Sequence, residues 1–102
     1  MMRLTVVSQT PEEVVLKVEG QIRLAIEAGV LAREGQRRLK AGQRLVLELR
    51  GLQAINHAGL GLLQWWADTG QPVVLRHSSD SLRAVLRFHR LTPEEDPQPL
   101  PG

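Results

Sequence analysis

The chain has 102 residues and a mass of 11.4 kDa, which is room for one folded domain, and its 42% apolar and 24% charged residues are those of a soluble globular protein, neither disordered nor fibrous. Zero cysteines exclude disulfides, thiolate metal sites and a cysteine nucleophile, and fit a reducing compartment, so the cytoplasm is the expected location. Lysine and arginine total 13 against 11 acids, a mild basic bias that is stronger in the body because Glu94, Glu95 and Asp96 sit in the tail.

No run approaches the roughly 18–20 apolar residues of a membrane span, so direct membrane insertion is not expected. The longest nearly apolar stretch, Leu24 to Ala32, is broken by Glu27. Met1-Met2-Arg3 leads straight into alternating residues, without the pattern of a signal peptide.

In chain order, Leu4–Ser8 and Val14–Val18 alternate with the period of strands. Thr10-Pro11-Glu12 supplies the turn of an antiparallel hairpin. After Gly20 the period becomes helical: Leu24, Ala28, Leu31, Ala32, Gly35 and Leu39 share one face, and Arg23, Glu27, Glu34 and Arg38 lie opposite. Ile22, Ile26 and Val30, at i, i+4 and i+8, interrupt that charged side. Ala41-Gly42 ends the helix. Leu45–Leu49 is an almost wholly apolar run, as expected of a central strand covered on both faces.

Residues 52–58 read as a connection, and Asn56 is a good N-cap for a helix from Ala58 to Asp68. In that helix Leu60, Leu63, Trp66 and Ala67 make the core face. Leu62 and Trp65 widen the apolar arc well beyond it, so Trp65 is expected at the surface as a partner anchor. Gly70-Gln71-Pro72 leads to the strand Val73–Leu75. Ser79 or Asp80 then caps a helix to about Arg90 that buries Leu82, Val85, Leu86 and one side of His89. Residues 92–102, with four prolines and three acids, read as a disordered tail behind a domain of residues 1–91. The order predicts an α/β fold with a mixed, mostly parallel sheet of four to five strands, Leu45–Leu49 central and Leu4–Ser8 at an edge, and three to four helices.

These blocks, from residue 13 to residue 91, resemble a STAS domain, shared by sulfate transporters and anti-sigma-factor antagonists. The resemblance rests on Val14-Val15-Leu16-Lys17-Val18-Glu19-Gly20, Arg44 to Leu52, Ile55-Asn56-His57-Ala58-Gly59-Leu60-Gly61-Leu62-Leu63, Val73-Val74-Leu75, and Leu82 to Leu91. It implies a protein-interaction module with no catalysis and no cofactor, docking through the loop and helix start at Asn56, His57, Ala58 and Gly59, to which the apolar arc of the helix adds Leu62 and Trp65. In anti-sigma-factor antagonists an Asp-Ser pair precedes the second helix, and a kinase phosphorylates the serine. Asn56 and His57 stand there, so no switch by serine phosphorylation is expected. An acidic pair around the glycine after the second strand is replaced by Gln21 and Arg23.

The resemblance leaves two classes of partner open, an anti-sigma factor or related kinase and a transport ATPase. The latter would make the chain the STAS subunit of a phospholipid-transport ABC complex, held peripherally at the inner membrane through its partner. As for assembly, a monomer or weak homodimer is expected. A rival from another class, a nucleic-acid-binding protein, would use the basic first helix with Arg33, Arg37, Arg38, Lys40 and Arg44, but no aromatic lies in that group, and a solvated face is the favoured reading. His57, His77 and His89 lack metal-ligand spacing. The stretch His77-Ser78-Ser79-Asp80-Ser81 lacks a nucleophile elbow and reads as turn and cap chemistry.

Overall fold

The computed structural model describes residues 1–93. Its elements are β1 (Met2–Gln9), β2 (Glu13–Ile22), α1 (Ala25–Arg38), β3 (Arg44–Glu48), β4 (Leu52–Ile55), α2 (His57–Asp68), β5 (Val73–Arg76) and α3 (Asp80–Phe88). The hairpin forms where Thr10 Oγ1 accepts the amides of Glu12 and Glu13 at 3.3 and 3.1 Å, a local bond that turns the chain. The sheet runs β1-β2-β3-β5, with β1 antiparallel and the other strands parallel. As the sequence implies, β1 is an edge and β3 lies inside, between β2 and β5.

The hub, however, is β2. Its Glu13–Lys17 half pairs with β3, and its Gly20–Ile22 end pairs with β4. The segment read as a connection from residue 52 is therefore partly a strand. A four-residue alternation is too short to show in sequence, yet its buried Leu52 holds it beside the end of β2. At Gly20, φ is +88° and a Cβ would fall 2.0 Å from the Met1 carbonyl oxygen, so only glycine fits where β2 exchanges one neighbour for the next.

Both crossovers, β2 to β3 and β3 to β5, step the same way, so right-handed connections set their helices on one face. There Val14, Leu16, Val18, Leu45, Leu47 and Leu75 join Leu31, Leu63, Trp66, Leu82 and Leu86 in a single apolar cluster. Residues 45–47 are all buried, as expected of a central strand, but among the described residues the helical cover is one-sided: Val46 lies instead in a row with Val15 and Val74 on the other face. Gly35 lets α1 approach α2 closely, since a Cβ would sit 3.0 Å from the Trp66 ring.

Four side-chain placements differ from the helical pattern. Ile22 closes β2 and is buried, so only Ile26 and Val30 of its proposed stripe face solvent. Leu24 is the exposed N-cap of α1, not part of its core face. Ala67 is exposed, because Leu60, Leu63 and Trp66 already fill the inward stripe of α2. Val85 is exposed because α3 turns Leu82 and Leu86 inward, and Val85 lies about 100° from Leu86 around the axis. The proposed tail lies, from residue 94 onward, outside the described residues. Among the described residues no helix is long and apolar enough to cross a membrane.

Candidate partner-binding surface

The surface begins where β4 delivers the chain to α2. Ile55 pairs with Ile22, and the first turn of α2 rests on that pair: a Cβ on Gly59 would meet Ile55 Cγ1 at 2.6 Å and Ile22 Cγ2 at 3.2 Å. Asn56 holds extended backbone, and its Oδ1 accepts the Gly59 amide at 2.9 Å, closing the helix start as an N-cap. Of the six residues expected to bind a partner, Asn56 and Gly59 thus build the helix start. Ala58 and Leu62 are half-buried against the core. Only His57 and Trp65 are exposed.

His57, Gly61 and Trp65 follow one another at i, i+4 and i+8 along the solvent side of α2. Trp65 is 48% exposed while its neighbour Trp66 is 2% exposed. It borders a shallow cleft with Gln36, Leu39, Lys40 and Ala41 at the end of α1. His57 and Trp65 stand about 12 Å apart along the axis and mark the two ends of one strip. A Cβ on Gly61, midway, would touch nothing within 4 Å.

The end of α3 extends this strip. The His57 and His89 rings meet edge to face at 6.4 Å, and His89 meets Phe88 at 5.3 Å. Gln64 Nε2 donates to the His89 carbonyl at 3.1 Å, tying α3 to α2. His89, read as a core-edge residue, is half-buried between two surface rings. Phe88 is 84% exposed and belongs to the surface that sequence reasoning missed. Its helical position carries the signal, since it lies about 200° around the axis from Leu86 and so points away from the core.

The remaining polar groups have local roles. His77 Nδ1 bonds the Glu48 carboxylate, and Ser79 Oγ accepts the Leu82 amide at 3.2 Å as the cap of α3. Gln21 bonds Gln53 at 3.3 Å beside the α2 entrance, where the family resemblance leads one to look for acids. In the basic group, Arg37 and Arg38 pair with Glu34 at 3.5 and 3.1 Å, and Arg44 pairs with Glu13 at 2.7 Å. Among the described residues no group of three or more histidines and acids converges as a metal site.

The family described as Mlab, STAS domain matches residues 5–93 of the chain. The chain belongs to the STAS domain family. Solved structures share the fold of this STAS domain. The anti-sigma factor antagonist SpoIIAA in its unphosphorylated form is 20% identical with a TM-score of 0.62, the match covering 89% of this chain and 82% of that one. The phosphorylated form of the Bacillus cell fate determinant SpoIIAA is 17% identical with a TM-score of 0.51, covering 86% and 82%. Comparison with curated protein sequences gives no match.

Proposed function

We propose that this STAS domain is a non-catalytic interaction module that docks a regulatory or transport protein through the Asn56–Trp65 strip, without a serine switch. The observation that carries the reading is Trp65, a large apolar ring left half in solvent on the outward side of α2 while Trp66 fills the core. Tryptophan at such a position is enriched among the residues that dominate protein interfaces. The absence of a hydroxyl at residues 56 and 57 supports the second part, because Asn56 is occupied as a cap and His57 stands at the family serine position.

That absence also favours a transport ATPase, or another stand-alone STAS role, over an anti-sigma kinase; with a transport ATPase as partner the chain would be a STAS subunit of a phospholipid-transport ABC complex, cytoplasmic and peripheral to the membrane through that ATPase. The nucleic-acid reading is weaker, since Glu34 and Glu13 engage three of the five clustered cations. The test is affinity capture of the partner from the native cell, identified by mass spectrometry, with wild type and Trp65→Ala side by side. A protein retained by wild type and lost with Trp65→Ala is the expected result. Equal capture by both removes Trp65 from the interface, and capture of nucleic acid with a steep salt dependence transfers the function to α1.

A further inference from the structure

We propose that the outer edge of β1 and the adjacent flank of α1 are a docking surface for a second copy of this chain, which pairs there as an antiparallel strand about a two-fold axis. Two bonds define the edge. Met1 O accepts from the Gln21 amide on β2 at 3.3 Å, whereas the Met2 amide donates the other way, to Glu27 Oε2 at 3.0 Å. In an antiparallel ladder successive residues alternate between facing the partner strand and facing away. Leu4 and Val6 therefore turn their N–H and C=O groups outward with Met2, and among the described residues the sheet ends at β1.

Exposed edges are usually blunted by short length, charge, proline or a bulge. The opposite edge strand, β5, has 4 residues, whereas β1 has 8, with no proline and with Arg3 as its one charge. Its guards are local: Glu27 occupies the Met2 amide, and a bulge interrupts the register between Val6 and Ser8. Among the described residues no strand pairs with the stretch between them.

Beside it, Met2, Leu4, Val6 and Val30 line a groove rimmed by Glu34 and Arg38. Val30, 39% exposed, is the apolar residue of α1 on this groove, and Ile26, 71% exposed, lies one turn before it on the outer side of the helix.

The fit is to the chain's own copy. Pairing centred on Leu4 sets Leu4 against Leu4 of the copy, Met2 against Val6 and Arg3 against Thr5, so the one charge of the strand never faces itself. Val6 N–H reaches the Met2 carbonyl of the copy, and the Met2 amide leaves Glu27 to donate to the Val6 carbonyl of the copy. A two-fold axis normal to the sheet keeps both sets of helices on one side, with the two α1 helices antiparallel across the seam. The acidic first turn of α1, with Glu27, then lies toward the basic last turn of the other, with Arg37 and Arg38. Val30 of each copy closes over the strands between them. A foreign strand would match the backbone edge, but neither the apolar flank nor this charge order.

Sedimentation velocity from about 1 µM to about 1 mM, with amide hydrogen exchange at the same concentrations, tests the assignment. The expected result is a concentration-dependent dimer in which protection of the Leu4 and Val6 amides rises with the dimer fraction. The variant Val30→Glu, checked by circular dichroism for an intact fold, should raise the dimer dissociation constant by about tenfold or more through like charges at the seam. Phe88→Glu, on the other surface, should leave it unchanged. A chain that stays monomeric with freely exchanging Leu4 and Val6 amides overturns the proposal. So does a dimer that leaves those amides unprotected, and so does protection that arises only when another protein is added.

Discussion

Trp65 and Trp66 are adjacent in sequence, yet the structure places one at the surface and one in the core. Trp66 packs against Gly35 within the single apolar cluster, so Trp66→Ala should cost about 3–5 kcal/mol in thermal or urea unfolding, while Trp65→Ala should cost only about 0.5 kcal/mol. Equal losses would make Trp65 a core residue and remove the support for an interface there. Gly59 and Gly61 form a second such pair on the same helix. Gly59→Ala drives a methyl into Ile55 at 2.6 Å and should destabilise by about 1–3 kcal/mol, offset in part by better helix propensity. Gly61→Ala meets open space and should stabilise the free domain by about 0.5–1 kcal/mol. If the strip binds a protein, the same Gly61→Ala change should weaken capture, since a methyl would then stand between helix and partner. A gain in stability with capture unchanged would show that nothing approaches Gly61.

At the scale of elements, α1 illustrates what periodicity conveys and what it leaves out. The spacing of Ala28, Leu31 and Gly35 announces the inward face, but no sequence rule shows that Glu27 fastens the helix start to the sheet edge. Its Oε1 accepts the Arg23 and Leu24 amides at 2.9 and 3.0 Å, and its Oε2 accepts Met2, 25 residues away. These bonds, Arg23 first, then Leu24, hold the Glu27 carboxyl below the usual carboxylate value against the opposing effect of desolvation, with Met2 adding a lesser share. The folded state therefore prefers the ionised form. The stability Glu27 contributes is fully present above the ordinary value and is lost as pH falls through the lowered one. Glu27→Gln should lower the melting temperature near neutral pH, and the gap to wild type should shrink on acidification to about pH 3. A gap that is constant across this range would show that the charge of Glu27 plays no part in holding the junction. The same limit on local patterns explains β4 and the His57–His89 contact: both depend on partners 32 or 33 residues distant in sequence, and neither leaves a local period.

For the molecule as a whole, the alternation of strands and helices made the α/β class, the interior β3 and the edge β1 legible, because each follows from a run of residues with one period. The role of β2 as hub was not legible, since its ten residues look like one ordinary strand and only the Gly20 turn, with Met1 against it, shows that two neighbours share its length. That hub sets the expected hierarchy of opening. Val14–Lys17 of β2 lie between β1 and β3, and Leu45–Leu47 of β3 lie between β2 and β5, with Val14 and residues 45–47 fully buried. Their amides can exchange only when most of the cluster comes apart. By contrast α3 has nine residues, leaves Val85 and Phe88 in solvent, and is held inward chiefly by Leu82 and Leu86. Releasing it exposes far less apolar surface than opening the hub. Native-state hydrogen exchange at low denaturant should therefore find the slowest amides in β2 and β3, exchanging with the free energy of global unfolding, and those of α3 at a distinctly lower one. Amides of α3 as slow as those of β2 would mean that the helix is part of the last unit to open, and that the surface formed by Phe88, His89 and His57 is as rigid as the sheet beneath it.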